Sequence, residues 1–277
     1  MTDALTPDQR AATDQLFAEE LPKRRVLLVS LAGAHAYGFA SADSDVDLKG
    51  IWLAPTRRLL GLGSAPGAAD RLEWLEVPRA DGGEPAKVEV DYTVNELGQA
   101  VHGVLKGNGN MLERVFDRAP LHADPNFDLD GFRAHARACL SRRAHNHYRG
   151  FAYSQRKVVD AAIAAGEQPK AKKVLYVLRT AVTGVHLLET GEVNPDLGAL
   201  WERYGFVEVP ELIACKRGAE LGQLPEAWTD ARVVALMDRA FARLDQARED
   251  SALPEAPEPE AAQAIDDWLV DQRIASI

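Results

Sequence analysis

A switch in periodicity divides this chain and limits the folds open to it. Every segment with the short, β-branched or alternating pattern of a strand lies before residue 94, and beyond it apolar residues recur at helical spacing. Arg25-Val26-Leu27-Leu28-Val29-Ser30-Leu31-Ala32 is an apolar run that stops at Gly33, as a buried strand does. Asp45-Val46-Asp47-Leu48-Lys49-Gly50-Ile51-Trp52-Leu53 opens with strict alternation and reads as a second strand. Segments 72–77 and 87–93 flank Asp81-Gly82-Gly83 and predict a hairpin. A helix over roughly the first 22 residues precedes them, with Thr6-Pro7-Asp8 as its start. Strands first and helices afterwards predict an α+β chain.

After Thr93, Leu97, Val101 and Leu105 mark one helix face up to a break at Lys106-Gly107-Asn108-Gly109, and Asn110 to Phe116 predicts a short helix. A loop through Pro120, Asp124 and Pro125 sets an expected boundary between a domain at 1–120 and a helical domain at 121–277. Residues 130–245 are almost wholly helical in pattern. The proline-rich stretch 252–259 then leads to a last amphipathic helix carrying Ile265, Trp268, Leu269 and Ile274. Trp268 and its neighbours would stand exposed unless that helix docked back on the body.

Several function classes drop out. No apolar run approaches the roughly 18–20 residues of a membrane span, and the polar start Met1 to Pro7 lacks a signal-peptide pattern, so a cytoplasmic location without membrane partners is expected. Cys139 and Cys215 have no paired spacing, which argues for reduced thiols and against zinc. There is no G-x-S-x-G and no Walker lysine motif. His145-Asn146-His147 places its imidazoles on different helix faces, so it is a weak metal signal, and His35 in the glycine loop would most simply bond backbone.

The net charge of −10 is unevenly spread. Residues 131–180 hold eleven Lys and Arg against two acids, whereas 245–277 hold nine acids against two arginines. A basic middle in an acidic chain suggests a confined anionic ligand, such as a polyphosphate or a nucleic-acid end. On 171–190, Lys172, Tyr176, Arg179, Thr183 and His186 follow one face, and Arg149, Tyr153, Arg156 and Lys157 are similar candidates on the preceding helix. Such faces are either simply solvated or in contact with phosphate.

The informative stretch is 31–50. Residues two apart on a strand share a face, so Asp45 and Asp47 project together while Val46 and Leu48 enter the core. Carboxylates that close repel unless a cation sits between them, and Mg²⁺ suits such a pair together with substrate phosphates. Lys49 shares their face, where it would either meet a substrate phosphate or neutralise the carboxylates. Upstream, a strand ending at Gly33 exposes backbone N–H groups able to cradle phosphate.

Strand, glycine turn, ten intervening residues and Asp-apolar-Asp-apolar, in that order, resemble the signature of the DNA-polymerase-beta nucleotidyltransferase superfamily. The string Gly33-Ala34-His35-Ala36-Tyr37-Gly38, with Ser44-Asp45-Val46-Asp47-Leu48-Lys49-Gly50, is similar more narrowly to the predicted nucleotidyltransferases associated with RNA-repair ligases. Lys106-Gly107-Asn108, Met111-Leu112-Glu113, the segment from Ala171 through Glu192, and Leu253-Pro254-Glu255 extend that likeness over roughly residues 24–275.

The resemblance implies a small mixed sheet in a nucleotidyltransferase domain, a helical domain behind it and an active cleft between. It implies transfer of a nucleoside monophosphate from an NTP, ATP foremost, to a hydroxyl acceptor at an RNA end, with release of pyrophosphate. Asp45 and Asp47 would hold two Mg²⁺ ions, with Mn²⁺ as a substitute. Asp91 would be the third carboxylate, binding metal and activating the acceptor; Glu89 shares its strand face and is the alternative. Gly33, Ala34, Lys49, Lys157, Lys172 and Arg179 would contact the nucleotide. One departure stands out: Ala34 replaces the serine whose hydroxyl the superfamily places on a phosphate. Two rival functions remain, a non-catalytic nucleotide- or RNA-binding module and a transferase that modifies a protein or small molecule.

Overall fold

A computed structural model describes residues 5–62, 66–79, 83–218 and 222–276. The first helix, α1 (Pro7–Glu20), starts on a capping box in which the Thr6 hydroxyl accepts from the Gln9 N–H and the Gln9 side chain accepts from the Thr6 N–H, with Pro7 in the first turn. A 3₁₀ turn at Leu21–Lys23 hands the chain to β1 (Arg25–Leu31), the single-turn α2 (Gly33–Ala36) and β2 (Val46–Leu53). After α3 (Thr56–Leu60), β3 (Ala69–Val77) and β4 (Ala86–Glu96) run antiparallel as the expected hairpin. Asp81 and Gly82 of its turn lie outside the described residues.

Next come α4 (Leu97–Leu105), α5 (Gly109–Val115) and the short β5 (His122–Ala123). Gly107, in the left-handed region at φ +66°, ends α4 where its Cβ would stand 2.6 Å from the Ala144 nitrogen; Asn108 then caps α5 by accepting from the Met111 N–H. The remainder is helical: α6 (Leu129–Ala138), α7 (Ala144–Ala164), α8 (Ala171–Thr190), α9 (Leu197–Leu200), α10 (Val209–Gly218), α11 (Asp230–Asp250) and α12 (Pro259–Ile274).

The sheet order is β3-β4-β2-β1-β5, with β2 and β4 parallel and the other neighbours antiparallel, so the sheet is mixed and the fold α+β. One side is closed by α1: Ala12 and Leu16 pack with Val29, Val46, Leu48, Val90 and Tyr92. The opposite side belongs to a second core that runs from Leu27 through the helices to Leu269. A shift in register between Val26 and Leu28 lets Leu27 and Leu28 both enter this second core while Val26 and Val29 serve the first.

Two expectations change on packing. The helix α8 is the central element, with α7, α10 and α11 against it, and Arg179, Thr183 and His186 on its expected polar face are buried. A helix enclosed on all sides must find partners for its polar groups within the protein, and α8 does so only in part: Thr183 Oγ1 and Arg179 Nε are buried without a hydrogen-bond partner. His186 Nδ1 lies 2.9 Å from the Tyr204 hydroxyl, and Thr180 donates to the Tyr176 carbonyl. At the chain's end, Ile265, Trp268 and Leu269 dock as expected, with the Trp268 ring stacked 4.9 Å from Phe132, but Ile274 remains 59% exposed. The last turn of α12 is fastened by polar contacts instead, Arg273 to Glu96 at 3.2 Å and the Thr56 hydroxyl to the Arg273 carbonyl.

Candidate active site

Parallel pairing of β2 with β4 sets Asp47 directly opposite Asp91. Asp45 sits one residue before β2, at the end of the loop that follows α2. Since Val46, Leu48, Val90 and Tyr92 fill the α1 side, the alternation forces Asp47, Lys49, Glu89, Asp91 and Thr93 onto the other face. The carboxylates and the lysine therefore share one surface because a core claims their neighbours.

The turn at Gly33 closes on this surface. Gly33 has φ +59°, and a Cβ on it would stand 1.7 Å from Asp47 Oδ2. The Ala32 N–H donates to the Asp47 carbonyl at 2.8 Å, which fastens the end of β1 to the start of β2. N–H groups in the first turn of a helix have no intrahelical partner, so the start of α2 offers donors beside the Asp47 carboxylate. Ala34 points its methyl into the core and is buried there. Ahead of Asp45, the Ser44 hydroxyl accepts from the Ser41 N–H, Gln9 donates to the Ser44 carbonyl, and the Lys216 ammonium of α10 donates to both serine hydroxyls. That loop thus binds an element the sequence reading did not connect to it.

Burial, and then repulsion from Asp45 and Asp91, push the Asp47 carboxyl up to about 6, against the opposing pull of Lys49. A carboxylate so crowded is relieved by a cation. Lys49 supplies one in this structure: its ammonium is 2.7 Å from Asp91 Oδ1 and 3.2 Å from Thr93 Oγ1. Of the two roles left open for Lys49, neutralising is the one its contacts show, and the carboxylate it touches is Asp91. Among the described residues no three His, Cys, Asp or Glu side chains converge on a single metal-sized point. The donor set of hard carboxylate oxygens beside a phosphate-sized turn nonetheless suits Mg²⁺ chemically.

A cleft of about 750 Å³ opens over the Asp47 and Lys49 part of this surface, lined by Gly33, Asp47, Lys49, Glu113, Arg114 and Tyr176 among others, while Asp45 and Asp91 stand outside its lining. Arg179 is 2% exposed and lies behind that lining: its guanidinium carbon is 3.5 Å from the Tyr37 ring centroid and Nη1 is 2.8 Å from Glu113 Oε1. Glu113 holds the Arg179 guanidinium in its charged form despite complete burial. Arg114, which sequence reasoning missed, lines the cleft and donates to the Asn95 side chain. Its neighbour Glu113 stands out in the sequence only within the string Met111-Leu112-Glu113, since a seven-residue helix gives too little periodicity to say which polar side chain faces where.

The basic segment does not form one surface. Lys172 at the start of α8 is exposed and close enough to influence Asp47. Arg149 pairs with Asp245 at 2.8 Å, and Arg156 with Asp160 and Asp238, so both face α11 rather than the cleft. Lys157, also on α7, rests 4.8 Å from the Tyr153 ring centroid. His145 is 2.8 Å from Asp245, and His35 is 3.3 Å from the Gln9 side chain. Glu89 lies on the carboxylate face, paired in register with Trp74 of β3.

A mixed sheet with the carboxylates and a glycine turn at one end, followed by helices, defines an α+β nucleotidyltransferase type of fold. The chain belongs to the RNA repair pathway DNA polymerase beta family (RlaP), whose profile matches residues 9–271. It is 24% identical over 174 residues to the uncharacterized protein MJ0002 of Methanocaldococcus jannaschii, a match spanning 62% of this chain and 64% of that protein. Among solved structures, a nucleotidyltransferase-like protein from Exiguobacterium sibiricum is 11% identical, covering 95% of this chain and 79% of that one, with a TM-score of 0.30.

Proposed function

We propose that the protein transfers a nucleoside monophosphate from an NTP, ATP foremost, to a hydroxyl at an RNA end, in a reaction that requires Mg²⁺ or Mn²⁺. The acceptor oxygen would form a bond to the α-phosphorus, its proton would pass to a carboxylate, and the bond from the α-phosphorus to the bridging oxygen would break to release pyrophosphate. The observation that carries this reading is the register pair Asp47 and Asp91, with the Gly33 turn packed against Asp47 Oδ2 at the edge of the cleft.

Asp45 and Asp47 would hold the divalent ions together with phosphate oxygens, and Asp91 would join them. The ions would supply charge neutralisation of the triphosphate and of the oxygens at the reacting phosphorus. Gly33 and Ala34 would give backbone N–H groups to phosphate, and the exposed Lys172 would meet the triphosphate from the helical side. Asp91, 40% exposed, would take the acceptor proton once Lys49 turns from it toward the triphosphate. Arg179 would act indirectly by holding Tyr37 and Glu113 in place. The two blocks of the chain, 1–120 and 121–277, would meet at this cleft.

The test is incubation with Mg²⁺ and each labelled NTP in turn, with and without total RNA. Label entering RNA with stoichiometric pyrophosphate supports the reading. NTP binding without turnover would favour a non-catalytic module, and label entering protein or a small molecule would move the acceptor to another class.

A further inference from the structure

The strand β3 forms one edge of the sheet, and on the face it shares with Asp91 two large apolar side chains, Leu72 and Trp74, stand between Asp70 and Glu76. Leu72 and Trp74 are 68% and 63% exposed. Their neighbours Arg71, Glu73 and Leu75 belong to the α1 side, where Arg71 pairs with Glu19 and Glu20, and Leu75 enters the first core. The pleat therefore turns Leu72 and Trp74 to the face that carries Asp47, Lys49 and Asp91. Register makes the relation exact: Leu72 is opposite Asp91, and Trp74 is opposite Glu89.

From these positions we infer that Trp74 and Leu72 form a stacking platform for a base of the acceptor strand, next to the carboxylate proposed to activate its hydroxyl. The inference rests on the proposed transfer at Asp91. Diagonal neighbours across an antiparallel pair lie about 7–8 Å apart, so Trp74 stands about one nucleotide from Asp91. A base laid on the indole would leave its ribose on the Asp91 side.

The chemistry of the surroundings selects bases over phosphates. The same face carries Asp70, Glu76 and Glu89, with Glu76 matched by Lys87 at 3.1 Å, so it offers a phosphate backbone no net attraction. An indole flanked by a leucine offers a flat apolar surface to any base, and the charges around it turn the backbone outward toward solvent. Single-stranded ends, whose bases are free to unstack, are the substrate class that fits.

The experiment uses the full chain with a fluorescently labelled single-stranded RNA decamer, read by anisotropy at two salt concentrations, beside calorimetry of Mg²⁺·ATP binding. Trp74→Ala should weaken RNA binding by about tenfold or more, given the known worth of one base–aromatic stack. Trp74→Phe should retain most of the affinity, and Leu72→Ala should lose less than Trp74→Ala. The loss should be the same factor at both salt concentrations, because stacking releases no counterions. Mg²⁺·ATP binding should not change, and in turnover KM for RNA should rise while the rate at saturating RNA holds. RNA binding by Trp74→Ala equal to wild type would overturn the platform. So would a wild-type chain that binds ATP and transfers its nucleotide yet takes no RNA, a result that leaves nucleotidyl transfer standing. A dimer in sedimentation that Trp74→Ala converts to monomer would overturn it too, by assigning the face to a second copy of the chain.

Discussion

Gly33 and Asp47 approach so closely that any side chain at position 33 must push the carboxylate aside: a Cβ there would overlap Asp47 Oδ2 at 1.7 Å, and the backbone sits at φ +59°, which favours glycine. The turn is shaped around the carboxylate. Gly33→Ala should displace Asp47 and cut transfer at least a hundredfold, while the backbone penalty of about 1–2 kcal/mol leaves the chain folded. Turnover near wild type, measured beside circular dichroism, would show that the contact is incidental.

Asp47 carries a cost in the folded chain, since burial and the flanking Asp45 and Asp91 carboxylates oppose its charge. Asp47→Asn should abolish nucleotide transfer without lowering Tm, because it removes a repelled charge and keeps the shape. A variant that turns over normally, or one that unfolds, would contradict the site.

The buried pair of Arg179 and Glu113 joins α8 to α5 behind the cleft. Removing one partner strands the other, at about 3–5 kcal/mol. Glu113→Leu should therefore lower Tm by about 10 °C, and Arg179→Met added to it should recover part of the loss. A double variant less stable than either single one would show that the pair is not coupled in this way.

Acid stability should report His186. Burial, aided by Arg203, holds its pKa below the ordinary 6.5. The unfolded chain then binds the proton more readily, so this group's contribution is complete above pH 6.5 and is lost as pH falls through the lower folded value. Thermal melts from pH 8 to 5 should show a shallower decline for His186→Gln than for wild type. Parallel curves would remove His186 from the account. His35 and His147, also held down by burial, keep the variant's decline from vanishing.

The strands and the carboxylate motif were legible because a strand's period is short and strict: Val46 and Leu48 need one side, which leaves Asp47 and Lys49 no choice but the other. The hairpin and the closing helix were legible for similar reasons, Trp268 being too large and apolar to stay in water. The helical half was less so. A stripe of Val174, Leu178, Ala181 and Val185 says that one face of α8 is buried but is silent on whether the opposite face meets water or more protein. That is why Arg179 reads as a surface base in the sequence and lies buried against Tyr37 and Glu113 in the fold.

Local order thus determined which residues form strands, where the glycine turn falls and which side of β2 carries charge, since these depend on sterics and on alternation within a few residues. Tertiary structure alone decided the partners. It set Asp91 opposite Asp47, placed Lys49 on Asp91, turned Arg149 and Arg156 toward acids of α11, and brought Trp74 to the carboxylate face. Each of these is a meeting of segments far apart in the chain, governed by sheet order, register and packing, and a charge or an aromatic ring carries no local mark of the group it will face.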